Sequence, residues 1–245
     1  MYNKKPSMIL FDVGGTIFED SACIPANGFA PLIKDSVNPE STSVEELVGY
    51  WNEYIKEVCK GLKSNSGYNL DAPLSAIIKY ATMNAGLHIN LPMPEQEELF
   101  DRYNSERTVL DGIPELFKAL ENLGIRYAII SNNAMSGDAL ALSIKHWLPE
   151  ARPEFCLTSA DILFAKPCKS IFIAAASYAH LKPEECWYCG DTPIPDVDGS
   201  SGCGMHPVLI DQKSATPIEL RTEEGRGQYM AVNNWHALKA YLLNM

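Results

Sequence analysis

Asp12 stands between a short apolar run and a pair of glycines, in Phe11-Asp12-Val13-Gly14-Gly15-Thr16-Ile17. Met8–Phe11 reads as a buried strand that delivers its next side chain, a nucleophilic carboxylate, to a tight loop. Other polar groups recur in the same situation. Ser131 and Asn132 follow the apolar strand pattern of residues 126–130, Lys166 precedes a proline and a new helical pattern, and Asp191 and Asp196 follow Trp187-Tyr188-Cys189-Gly190. All fall at predicted strand ends, on the edge where a doubly wound sheet opens its ligand crevice. Phosphoryl transfer needs a positioned nucleophile, donors for the non-bridging oxygens, and cations that offset several negative charges. This set supplies each of them. Asp12 would form an aspartyl-phosphate, Ser131 and Lys166 would hold phosphate oxygens, and Asp191 would join Asp12 on Mg2+, a hard cation that prefers oxygen ligands.

The positioning elements follow from periodicity. From Asp111 onward, helical stripes alternate with short apolar runs: a helix through Leu116, Phe117 and Leu120 stopped by Gly124, a strand at 126–130, a helix near 138–147 and a short strand around 155–157. A helix at 169–180, a strand at 186–189, a helix near 196–203 and a strand at 206–210 continue the pattern, which a helix at 235–243 closes. Five parallel strands with helices on both faces are predicted. Residues 211–226 are polar enough to read as a long surface loop. Residues 21–109 differ, with helical periodicity and no convincing strand. Leu47, Trp51, Tyr54, Ile55, Val58 and Leu62 share one helix face, Asp71 is placed to cap a helix through Leu74, Ile77, Ile78 and Ala81, and a third helix is predicted from Glu95 to Glu106.

In this order, Asp12-Val-Gly-Gly-Thr16, Ser131-Asn132, Lys166-Pro167 and Gly190-Asp191-Thr-Pro-Ile-Pro-Asp196, followed by Gly199 and Gly204, resemble the four motifs of haloacid dehalogenase-like hydrolases. The resemblance covers nearly the whole chain. It implies an α/β, Rossmann-like core from residues 1–20 and 110–245, with an all-helical cap inserted over 21–109 that selects substrates. It implies Mg2+ ligands at Asp12, the Gly14 carbonyl and Asp191. Asp12, Lys166 and Asp196 form the implied catalytic set, with Asp196 supporting the metal ligands from behind. Thr16 would help hold the nucleophile and phosphate, and Asn132 would orient the substrate side. The implied activity is a phosphatase acting on a small phosphorylated molecule.

One departure matters. Phosphatases of this family usually carry a second aspartate two positions after the nucleophile, acting as general acid to the leaving group, and here that position is Gly14. A dehalogenase also often lacks that aspartate but works without magnesium, so Asp191 argues against it. A phosphonate hydrolase lacks it too and relies on a cap lysine, for which Lys56 and Lys60 are the clustered candidates; both project away from the apolar face and read as solvated. A phosphate-binding regulatory protein with little turnover is the non-enzymatic alternative.

Composition narrows the partners. A formal charge of -11 opposes nucleic acid and anionic membrane surfaces, whereas a small phosphate ester can be met by a local lysine, backbone N–H groups and a cation. The seven cysteines are odd in number and scattered, which predicts reduced thiols in a cytoplasm. The first residues lack a secretory apolar stretch, and no apolar run approaches about 18 residues. Cys186 and Cys189 have redox-motif spacing but lie on a predicted buried strand, where packing is the expected role. The five histidines show no paired spacing for zinc.

Overall fold

The computed structural model describes residues 2–58, 61–63, 67 and 70–245. Its chain order is β1 (Met8–Phe11), β2 (Phe18–Asp20), α1 (Pro25–Lys34), α2 (Val44–Glu57), α3 (Leu74–Asn84), α4 (Met93–Asn104), β3 (Arg107–Val109), α5 (Ile113–Leu123) and β4 (Arg126–Ser131). There follow α6 (Gly137–Trp147), β5 (Cys156–Thr158), α7 (Ser159–Ile162), α8 (Lys169–Tyr178), β6 (Cys186–Gly190), α9 (Gly199–Ser201), β7 (His206–Ile210), β8 (Ile218–Glu223), β9 (Gly227–Val232) and α10 (Trp235–Leu243).

All four β1 residues are buried because both faces of the strand are covered. Ile9 and Phe11 pack with α5, α6 and α10, while Met8 and Leu10 pack with Ile171, Phe172 and Ala175 of α8. The period-two alternation of a strand thus divides between two helical layers. The sheet order is β5-β4-β1-β6-β7-β9-β8, with every pairing parallel except β8 with β9. Because β4 and β6 flank β1, the residues that follow these three strands emerge side by side at one edge.

The architecture is the expected Rossmann-like α/β sheet, but it has seven strands where five were predicted. The expected loop at 211–226 is in part a hairpin. Its polar strand β8 is stabilised by ion pairs, Arg221 to Asp211 at 2.8 Å among them, so charge there marks a half-exposed edge strand rather than a loop. Cys186 and Cys189 sit in the two opposite apolar layers, consistent with packing roles.

Between β2 and β3, which pair antiparallel, lie four α-helices among the described residues, where three helices were expected. Helix α1 is disguised by Pro31 inside it and by Gly28, where an added Cβ would collide with the Phe100 ring. Phe29, Leu32, Leu47, Leu74, Ile78, Ala81 and Phe100 form a shared apolar cluster that also takes in Met135 and Ala139 near the start of α6. Helix α2 ends at Glu57, so Leu62 does not extend its face, and Ile55 is exposed. Pro73, not Asp71, occupies the N-cap of α3. Lys56 is largely solvent-exposed; Lys60 lies outside the described residues. Among the described residues no helix is long and apolar enough to cross a membrane.

Candidate active site

The nucleophile loop is a tight wrap after β1. The Val13 carbonyl accepts from the backbone N–H groups of Thr16, Ile17 and Phe18, and the Phe18 carbonyl accepts from Gly15. From below, the buried Trp235 indole donates to the Thr16 carbonyl at 2.9 Å and ties the loop to α10. Gly15 is left-handed at φ 66°, and an added Cβ would run into the Asp191 carboxylate. A Cβ on Gly190 would likewise overlap Asp196. Glycine at these two positions lets the carboxylates of the β6 loop close on the β1 loop.

Asp12, Asp191 and Asp196 each offer a carboxylate oxygen, all within 4.8 Å of one another. One buried cation faces them. The Lys166 ammonium lies 2.7 Å from Asp12 Oδ1 and 2.7 Å from Asp196 Oδ1, and donates to the Tyr188 hydroxyl at 2.8 Å. Asn132 fixes the lysine backbone reciprocally: its amide Nδ2 donates to the Lys166 carbonyl at 3.0 Å, and its Oδ1 accepts from the Lys166 N–H at 2.7 Å. Asp196 accepts from the Thr192 N–H at 2.9 Å through its other oxygen. Ser131 is buried at the end of β4, the strand beside β1. Among the described residues, the buried Thr16 Oγ1 has no hydrogen-bond partner.

The electrostatics follow from this crowding. Burial, reinforced by the Asp196 charge, raises the Asp12 carboxyl to about 6 against the pull of Lys166. Asp191 is also raised, chiefly by burial. Burial alone would lower Lys166, but the Asp12 and Asp196 carboxylates outweigh it and hold the ammonium protonated. Three carboxylates against one ammonium leave a negative surplus in a water-poor site, which is chemically suited to a divalent cation with oxygen ligands. Both Asp196 oxygens already have donors. Asp191 has one oxygen engaged, by the Thr192 hydroxyl at 3.0 Å, and among the described residues no donor hydrogen-bonds the Gly14 carbonyl.

Of the residues named from sequence, the structure brings Asp12, Asn132, Lys166, Asp191 and Asp196 into direct contact or close proximity, while Gly14 and Thr16 lie in the nucleophile loop and Ser131 ends the neighbouring strand β4. Two placements sharpen the expectations. Asn132 spends its amide on the Lys166 backbone, which makes it a positioning residue in this arrangement. Asp198, two residues beyond Asp196, is engaged by Arg226 at 2.6 Å. Tyr188 was missed: an aromatic in an apolar strand gives no sign that its hydroxyl reaches a lysine from another loop. An apolar recess of about 280 Å³ lined in part by Phe117, Trp147 and Leu148 contains none of these residues and lies away from the carboxylates.

A family model described as haloacid dehalogenase-like hydrolase matches residues 6–204. Human haloacid dehalogenase-like hydrolase domain-containing protein 3 is 30% identical over 121 residues, covering 48% of this chain and 46% of that protein. A glyceraldehyde 3-phosphate phosphatase from Methanopyrus kandleri is 29% identical over 117 residues, 46% of this chain and 48% of that one. The alignments thus span about half the length of these curated relatives. A crystal structure of a 2-haloacid dehalogenase from Pseudomonas syringae superposes with a TM-score of 0.58 at 16% identity, covering 97% of each chain, and shows the shared fold.

Proposed function

Because this chain belongs to the haloacid dehalogenase-like hydrolase family, we propose that it is a magnesium-dependent phosphatase that transfers the phosphoryl group of a small phosphate ester to Asp12. The observation that carries this reading is the clustering of three carboxylates, two of which pair with one buried lysine. Displacement of halide from carbon creates no need for so concentrated a negative site, whereas a phosphoryl group held through a divalent cation does. The phosphatase relative from Methanopyrus kandleri is consistent with the same chemistry.

An Asp12 oxygen attacks phosphorus, the bond from phosphorus to the leaving oxygen breaks, and the aspartyl-phosphate is then hydrolysed by water, returning the carboxylate. Bound through Asp12, the Gly14 carbonyl and Asp191, Mg2+ would supply charge neutralisation to the phosphoryl oxygens. Lys166 offsets the Asp12 and Asp196 charges, and Asp196 in turn anchors the ammonium. In this reading the Ser131 hydroxyl and the unpartnered Thr16 hydroxyl donate to phosphate and nucleophile. The test is phosphate release from p-nitrophenyl phosphate with and without Mg2+, alongside halide release from a 2-haloacid. Metal-dependent phosphate release supports the reading, and metal-independent halide release overturns it.

Metal affinity should depend on the less buried carboxylate as well as on the nucleophile. Asp191→Asn removes a full charge from the ligand set, and calorimetry should show magnesium binding weakened at least about tenfold, since metal sites lose that much even from outer-layer changes. Unchanged affinity would take Asp191 out of the ligand set.

The helices between β2 and β3 serve, in this reading, as a cap over residues 21–109 that closes on substrate. The β2–β3 ribbon is its neck. Arg107 there pairs with Asp20 and, at 2.9 Å, with Asp101 of α4, and it also donates to Ser143 of α6 at 2.7 Å. Hydrogen exchange at residues 18–23 and 107–112 should slow when a phosphate-mimicking metal fluoride and Mg2+ are added. Unaltered exchange in both segments would contradict a moving cap.

A further inference from the structure

Three protein acceptors surround the Lys166 ammonium. It donates to Asp196 at 2.7 Å and to the Tyr188 hydroxyl at 2.8 Å, and the Asp12 carboxylate pairs with it at 2.7 Å. The phenol in turn donates its proton to the Ile130 carbonyl at 3.1 Å, one residue before Ser131 at the end of β4. Tyr188 and Lys166 are both fully interior, and the ammonium lies 5.3 Å from the Tyr188 ring centroid. The Phe172 ring packs edge-on against Tyr188 at 4.9 Å, which fixes the phenol in its place.

We infer that Tyr188 is a positioning residue for the phosphoryl-transfer site, holding the Lys166 ammonium against Asp12 by filling its third hydrogen-bond direction without adding charge. A third carboxylate in this place would deepen the negative surplus around the nucleophile. An apolar residue would leave a buried ammonium proton unpaired, with a lysine chain free to turn away from Asp12. The phenol avoids both outcomes. Burial and the nearby Asp196 and Asp12 charges keep it neutral, so its lone pair remains available to the ammonium while its proton stays on the Ile130 carbonyl. It also joins two motif positions, since β4 carries Ser131 and the α8 side of the sheet carries Lys166. Having no exposed surface, Tyr188 acts through the lysine rather than by touching substrate.

This inference rests on the proposed phosphatase reading for its kinetic consequence but not for its spectroscopic one. Tyr188→Phe removes one hydrogen bond to a charged group and should lower kcat on p-nitrophenyl phosphate about tenfold or more, with KM changed less than about twofold. In a Lys166→Met background the same substitution should have no further effect. Independently of turnover, a buried ammonium with three acceptors should give a slowly exchanging ζ-proton signal in the 15N-lysine spectrum. Its disappearance in Lys166→Met, or in Lys166→Arg should the methionine variant not fold, identifies it. Loss of that signal in Tyr188→Phe is the expected result. Retention of the signal in Tyr188→Phe, its absence from the unaltered protein, or an equal loss of kcat in both backgrounds would overturn the inference. If the unaltered protein hydrolyses no phosphate ester, the phosphatase reading fails, and the ammonium signal alone decides the role of Tyr188.

Discussion

Asp12→Asn should abolish turnover, by on the order of 10⁴–10⁶-fold, because loss of the nucleophile in a covalent mechanism leaves only binding and electrostatic effects. The same substitution should not weaken the fold. The folded state disfavours the Asp12 charge, raising the carboxyl from its ordinary 3.8 to about 6 through burial and the Asp196 charge. A folded-state value above the unfolded one means the native protein holds its proton more tightly. The resulting stabilisation is present below about pH 4 and is lost as the pH rises through about 6. Asparagine cannot titrate. In magnesium-free buffer, the Tm of the unaltered protein should therefore fall relative to that of Asp12→Asn between these pH values. Residual activity above about one part in a hundred would show that another group attacks phosphorus, a loss too small for removal of a covalent nucleophile.

Gly14→Asp should raise turnover on alkyl phosphates by about 10²-fold or more and change aryl phosphates much less, since a general acid contributes about 10²–10⁴-fold when the leaving oxygen is a strong base. The position can take the side chain: Gly14 is exposed, is not among the left-handed glycines, and has nothing within 4 Å of an added Cβ. Gly15→Ala is the contrasting variant and should lose activity, because its Cβ would displace Asp191. Among neighbouring acids, Asp20 is engaged by Arg107, while Glu19 is exposed on the ribbon. The natural protein should therefore favour aryl phosphates, acyl phosphates and phosphoanhydrides, with rates that fall steeply as leaving-group pKa rises. A flat dependence would show that Glu19 or another residue supplies the proton, and the significance assigned to Gly14 would be withdrawn.

The site was more legible than the scaffold around it. Asp12, Ser131 and Asp191 could be placed because each follows a continuous apolar run, and adjacency of β4, β1 and β6 converts three distant sequence positions into one cluster. Lys166 was legible only by its place in the motif order; its approach to Asp12 depends on Asn132 holding its backbone. Tyr188 was hidden because alternation along β6 shows which layer a side chain enters, not which polar atom it meets there. The β8–β9 hairpin was hidden because its strands are paid for partly by ion pairs, which look like loop composition. Helix α1 was hidden because Pro31 and Gly28 break helical propensity, and the Phe29 and Leu32 contacts that restore it come from distant helices.

Covalent trapping tests the central claim most directly. The protein is mixed with p-nitrophenyl phosphate and Mg2+, quenched in acid within a turnover, digested and examined by mass spectrometry. A phosphoryl group on Asp12 that requires Mg2+ and is absent from Asp12→Asn is the predicted result; magnesium-dependent turnover with the phosphoryl group on another residue, or with no phosphoenzyme at any quench time, would contradict it.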